Sequence, residues 1–327
     1  MAINPVCPKC KRAFHKKASR VICLFCQAEY GLVEGCIDFV EGEENRTKDK
    51  IYYDRIYNNL DSRKTEKYLP RKNFDQIIRE IWFDKTFPSG KDILSKLPNL
   101  RNKEILCLGN GASMKEIYFA INGGSLWISD LSIDAVLKAK NSLPLNLSRL
   151  KVQFHAIDAT QLPFENESLD VVYGYAFVHH LPDKLPFLRE IFRVLKRGGM
   201  CIFFDNAFSP IWQRLKTGLL KPLMQHIHKK RGISPEDLRA TLEGGFTKDQ
   251  VIDWGFESGF NSYFFIKKEL LLYFWLRGTK KVFNRDRDNR VVYLVGSMLS
   301  FFDSILESAS RLYQDNMIRV VWGYRKT

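Results

Sequence analysis

Between Lys103 and Asn206 the chain alternates short apolar runs with stretches of helical spacing, and this alternation limits the possible folds most strongly. The runs lie at 105–108, 126–129, 152–156, 169–173 and 201–204. Their residues are apolar in succession rather than in alternation, as in parallel strands covered on both faces by helices. A helix is expected from near Ser113 to the Gly123-Gly124 pair. Ser132 is placed to cap the next helix, and Gly198-Gly199 closes a third around 185–195. The prediction is an α/β chain with a doubly wound sheet. Further on, Ser234-Pro235 reads as a helix start and Thr247 with Gln250 as a capping box. Segments 261–266 and 318–324 read as two last strands, with apolar and basic helix between them.

The first run ends in Gly109, Asn110 and Gly111, a turn that lets a ligand approach the backbone. Asp130 follows Gly111 by nineteen residues and closes the second run. A carboxylate there can accept hydrogen bonds from two ribose hydroxyls. Asp158 closes the third run and can meet an adenine amino group. A dinucleotide fold shares the glycine turn and the acid, but its third glycine would fall at Met114.

Four of the seven cysteines form two pairs, Cys7 with Cys10 and Cys23 with Cys26. Two cysteines three positions apart on a tight turn aim both sulfurs at one ion, and two such turns complete a tetrahedron. The twelve residues between the pairs can form the connecting hairpin. Four thiolates leave no open position, so the expected zinc is structural. Cys36, Cys107 and Cys201 lie among apolar residues and read as core.

The stretch DATQLPFENESLDVVYGYAFVHHLPD, followed by LREIFRVLKRGGMCIF, closely resembles the class I S-adenosylmethionine-dependent methyltransferases, in particular those that modify small molecules, lipids and sugars. The resemblance covers about residues 100–205. It implies a seven-stranded Rossmann-like sheet closed by an antiparallel strand pair, with S-adenosylmethionine as cofactor. By that likeness Gly109, Asn110 and Gly111 contact the methionine and ribose part. Asp130 holds the ribose hydroxyls with Leu131 beside the adenine. Asp158 bonds the adenine amino group with Ala159 adjacent, and Tyr175 lines the methyl-donor end. Cys107 stands where the family commonly has an acid, and Ser113 where it often has glycine. The N-terminal run CPKC and CLFCQAEYGLVEGCIDF resembles zinc-ribbon segments that precede many bacterial methyltransferases, without the glycine that usually follows each cysteine pair.

The expected division is a zinc ribbon at 1–41, a helical linker or cap at 42–100, and a methyltransferase domain at 101–327. Helical substrate-side insertions fall near 206–246 and 268–315. Amino methylases of adenine or glutamine carry an Asn/Asp-Pro-Pro-aromatic run after the fourth strand; here GYAFVHHLPD stands instead. A hydroxyl acceptor is therefore favoured, on a small molecule, a glycan or a lipid-linked sugar, as in polysaccharide biosynthesis. His179 and His180 are the candidate bases; the alternative is that they only shape the turn.

The net charge of +14 divides as +5, +1 and +8 over 1–100, 101–208 and 209–327. Basic ends around a balanced middle suit an anionic partner: RNA, an anionic membrane surface or a phosphorylated acceptor. RNA methylation is the second reading, with Lys9, Lys11, Arg12, Lys16, Lys17 and Arg20 as phosphate contacts. A methyltransferase-fold binding module without activity is the third. The longest uncharged stretch is thirteen residues, short of the roughly 20 that a membrane span needs. The N-terminus lacks a signal-peptide core, so a cytoplasmic protein, peripheral at most to the membrane, is expected.

Overall fold

The computed structural model describes residues 4–17, 19–40, 82, 88–143, 147–218, 221–222, 225–226, 245–268, 290–309 and 314–327. Most of the helical linker or cap expected at 42–100 and the helix start at Ser234-Pro235 lie outside the described residues.

Among the described residues, eleven strands form one sheet. They are β1 (Phe14–Lys17), β2 (Arg20–Cys23), β3 (Glu29–Val33), β4 (Cys36–Asp38), β5 (Glu104–Leu108), β6 (Ser125–Asp130), β7 (Val152–Ala156), β8 (Leu169–Tyr175), β9 (Leu195–Asn206), β10 (Ser262–Lys268) and β11 (Arg319–Arg325). Their spatial order is β1-β2-β3-β4-β7-β6-β5-β8-β9-β11-β10. Strands β7, β6, β5, β8 and β9 are parallel, and β11 runs antiparallel between β9 and β10. These seven give the doubly wound sheet. The other four, a cysteine-bearing antiparallel meander, join it through the parallel pairing of Asp38 with Ala156. The ribbon is thus a continuation of the sheet.

The helices are α1 (Pro88–Lys96), α2 (Ile117–Ile121), α3 (Ile133–Asn141), α4 (Leu185–Val194), α5 (Pro210–Thr217), α6 (Lys248–Glu257) and α7 (Arg290–Ala309). Local chemistry starts two of them as the sequence predicts. The Ser132 side chain accepts from Ala135 N–H, with Asp134 in the first turn of α3 and Lys138 and Lys140 in the last. Thr247 and Gln250 form the reciprocal capping box of α6.

Alternate residues of each central strand enter opposite core layers. Leu106, Trp127, Val172, Phe203 and Trp322 face the layer that holds α4, and that layer continues into the ribbon through Cys7, Tyr30 and Phe39. Ile105, Cys107, Ile128, Tyr173, Ile202 and Phe204 face the layer that holds α2 and α3. The three cysteines outside the two pairs, Cys36, Cys107 and Cys201, are all buried, as expected. Among the described residues, no helix is long and apolar enough to cross a membrane.

Candidate functional site

The carboxyl ends of β5, β6, β7 and β8 converge where the strand order reverses between β5 and β8, the place where open α/β sheets take ligands. Gly109 and Gly111 both adopt left-handed backbone, with φ of 61° and 56°. A Cβ on Gly109 would lie 2.4 Å from Cγ of Phe177, so the turn tolerates only glycine. Gly111 N–H donates to Asp130 Oδ2 at 2.8 Å, and Ser132 N–H to Asp130 Oδ1 at 3.0 Å. Two backbone donors hold the carboxylate, and each oxygen keeps further acceptor capacity for a ribose hydroxyl. Leu131 follows directly. Asn110 is buried, and its amide donates to Ser113 O at 2.7 Å. Its Oδ1 has no hydrogen-bond partner among the described residues.

Asp158 Oδ1 accepts from both the N–H and the hydroxyl of Thr160, each at 2.8 Å, which turns the chain just past β7. Ala159 beside it is buried. Tyr175 ends β8 stacked on Phe204, with ring centroids 4.6 Å apart. The Lys115 ammonium stands 3.8 Å from the Tyr175 ring centre. Ala176 follows with a φ of 56°, a left-handed non-glycine residue that marks strain beside the site.

Sequence reasoning missed three residues here. Glu116 is almost fully buried, accepts from the Ser113 hydroxyl at 2.9 Å and pairs with Lys115 at 2.5 Å. Burial, and then the Glu116 charge, push the Cys107 thiol well above its ordinary range. The third residue is Asp205, fully buried on β9, whose Oδ1 lies 2.5 Å from His179 Nδ1. Asp205 Oδ1 also accepts from Asn206 N–H at 3.0 Å, while Oδ2 has no hydrogen-bond partner among the described residues. His179 sits in the one-turn 3-10 helix Val178–His180. Its ring lies 4.0 Å from that of His180, which is exposed. Of the two candidate bases, His179 is fixed by a carboxylate. Asp205 was legible in principle, as an acid that ends a buried apolar strand, the same signal that marked Asp130.

At the ribbon edge the four predicted sulfurs lie within 4.8 Å of one another, with Cys7 and Cys26 at 3.5 Å and Cys10 and Cys23 at 3.3 Å. A tetrahedron with metal–sulfur bonds of about 2.3 Å has edges of about 3.8 Å, so the cluster fits a zinc-type ion. Such an ion would be held by these sulfurs and would supply a cross-link between the two turns. Lys11 and Gln27, the residues after each pair, take φ of 60° and 58° where glycine is usual. Lys11 N–H donates to Cys7 O at 2.8 Å and Gln27 N–H to Cys23 O at 2.9 Å, so both turns close regardless. Not every basic ribbon residue is open to solvent. Lys11 reaches inward to Glu190 at 3.1 Å, whereas Arg20 stays exposed and pairs with Glu29 at 3.7 Å.

Residues 106–203 match the family model described as methyltransferase domain. The ubiquinone/menaquinone biosynthesis C-methyltransferase of Rickettsia prowazekii is 29% identical over 175 residues, 51% of this chain and 64% of that protein. The demethylmenaquinone methyltransferase of Lactococcus lactis is 36% identical over 100 residues, 28% of this chain and 39% of that one. The chain thus spans less than two thirds of the length of these relatives. Among solved structures, phosphoethanolamine N-methyltransferase 2 of Haemonchus contortus, in complex with S-adenosyl-L-methionine, aligns with a TM-score of 0.47 at 16% identity. It covers 82% of this chain and 60% of that one. Geranyl diphosphate C-methyltransferase of Streptomyces coelicolor aligns at 0.48 and 11%, over 72% and 79%. Residues 106–203 thus carry a methyltransferase domain. Its glycine turn, Asp130 and Asp158 stand at the strand ends where the resemblance puts the cofactor contacts.

Proposed function

We propose that the chain is an S-adenosylmethionine-dependent methyltransferase whose small-molecule acceptor must lose a proton at the reacting atom, a hydroxyl above all. The observation that carries this reading is the His179–Asp205 contact. Bound S-adenosylmethionine supplies a methyl already activated on a sulfonium, so the protein must align the acceptor, exclude water and, for a hydroxyl, take its proton. With Nδ1 directed at Asp205, Nε2 is the ring nitrogen left to accept that proton. The buried carboxylate then offsets the imidazolium charge. A plain amine acceptor with a free lone pair needs no such pair. Gly109, Asn110, Gly111, Asp130, Leu131, Asp158, Ala159 and Tyr175 are assigned to the cofactor, with Glu116 and Lys115 added beside its methionine end. A structural zinc is assigned to Cys7, Cys10, Cys23 and Cys26.

The relatives' names, a C-methyltransferase of ubiquinone/menaquinone biosynthesis and a demethylmenaquinone methyltransferase, support a carbon that must likewise lose a proton as an alternative acceptor. The outward Leu294, Met298, Phe301 and Ile305 of α7 support approach to a lipid surface and a lipid-carried acceptor. The inward pairing of Lys11 removes one of the phosphate contacts that RNA methylation would use.

The test is transfer of labelled methyl from S-adenosylmethionine to hydroxylated acceptors, with Asp205→Asn alongside. Loss of about 10²–10⁴ in kcat with cofactor affinity unchanged is expected, the usual worth of a positioned base. Full activity in Asp205→Asn and His179→Gln would remove the proton-transfer reading.

A further inference from the structure

The loop after β7 carries Asp158 and Ala159, and the ribbon grips that loop at both ends. At its start, Phe39 N–H donates to Ala156 O at 3.0 Å, next to the Asp38–Ala156 pairing. At its end, Val6 N–H donates to Pro163 O at 3.0 Å. Lys11 Nζ donates to Leu162 O at 3.2 Å and pairs with Glu190 Oε2 at 3.1 Å. That same Glu190 oxygen accepts from Leu162 N–H at 2.8 Å. Leu162 is therefore held at its carbonyl by Lys11 and at its N–H by the acid that Lys11 neutralises. Arg193 completes the cluster, donating to Glu190, Leu162 O and Phe164 O.

Lys11 is itself shaped by the cysteine turn. Its backbone N–H donates to Cys7 O, Cys7 N–H donates to Arg12 O at 2.8 Å, and its φ of 60° is one that a lysine does not adopt freely. Val6 and Lys11 flank Cys7 and Cys10 in sequence. Ligation of these two sulfurs fixes the turn that aims both gripping groups at residues 162–163. Ligation adds to the two backbone hydrogen bonds that hold Lys11 in this left-handed conformation, and removing it leaves that turn less constrained.

We propose that the ribbon is a clamp on the adenine end of the cofactor site, with Lys11 as its positioning residue, so that metal ligation at Cys7 and Cys10 sets cofactor affinity. This rests on S-adenosylmethionine being the cofactor. The clamp acts only on the loop of Asp158 and Ala159. The Gly109–Gly111 turn and Glu116 belong to other elements and lie outside its reach. Metal ligation and cofactor affinity are then coupled in both directions, because each stabilises the same loop conformation.

The experiment is calorimetric titration of the full zinc-loaded chain with S-adenosylhomocysteine and, separately, with methylthioadenosine, which lacks the amino-acid end. Lys11→Met is expected to keep its zinc and to weaken both probes by about tenfold, close to 1.4 kcal/mol. Lys11→Arg is expected to restore most of the affinity. Chelated wild type is expected to weaken at least as much as Lys11→Met. Should Lys11→Met fail to fold, Glu190→Gln on α4 removes the other half of the pair and carries the same expectation. Unchanged affinity for both probes in zinc-loaded Lys11→Met or Glu190→Gln overturns the clamp, as does a loss seen with S-adenosylhomocysteine alone. Failure of the zinc-loaded wild type to bind either probe instead overturns the cofactor reading beneath it.

Discussion

The two edges of the sheet are built on different physics. At one edge, β9, β11 and β10 carry large rings: Trp322 is fully buried between Phe203 at 4.9 Å and Phe246 at 5.6 Å, and Tyr324 stacks on Phe260 at 4.7 Å. Such rings bury enough apolar area to hold their strands without help. At the other edge, β1 to β4 are three to five residues long. They carry only a few buried rings, Tyr30 and Phe39 among them, and Leu24 and Phe25 of the second cysteine turn are exposed. This edge closes three turns on left-handed non-glycine residues, Lys11, Gln27 and Glu34, which costs about 1–2 kcal/mol each. Aromatic burial keeps one edge in place, whereas the other offers a docking strand and four gathered sulfurs that an ion could cross-link.

The largest break in that comparison should come from metal removal. Chelation is expected to abolish hydrogen-exchange protection across β1 to β4, because structural thiolate sites contribute about 10–16 kcal/mol of apparent binding energy. Protection in β9 and β11 should persist, and equal loss at both edges would erase the contrast. Next comes Trp322→Ala, expected to cost about 3–5 kcal/mol in denaturant unfolding of the zinc-loaded chain, as large-to-small changes of buried rings do. Thr247→Ala removes the capping box of α6 and should cost about 1 kcal/mol by the same measurement. The smallest effect sharpens the comparison from the other side. Gln27→Gly relieves the φ of 58° and is expected to stabilise the zinc-loaded ribbon by about 0.5–1 kcal/mol, read as a higher chelator concentration needed to open it. The same glycine in an ordinary strand would destabilise.

Much of the fold was legible because local signals agreed with the tertiary outcome. The run at 152–156 became β7 with those bounds, and Ser132 and Thr247 cap the helices they were expected to cap. The helix expected from near Ser113 begins at Ile117 instead. Ser113 bonds to Glu116, and the intervening backbone closes as turns, so the glycine turn takes up the first residues.

By itself the sequence determined the parallel sheet, the glycine turn with its two acids, and the four sulfurs. Each of these is written in local spacing, through periodicity, backbone permissiveness or turn geometry. Only the tertiary structure decided that β4 pairs with β7, that Asp205 rather than backbone holds His179, that Glu116 is buried against Ser113 and Lys115, and that Lys11 points into the domain. The pairings of β4, His179 and Lys11 join residues 26 to 151 positions apart in the chain, from His179 and Asp205 to Lys11 and Leu162. A charge does not announce its partner in sequence. It finds one when strand order and burial remove water from around it and leave a single group within reach.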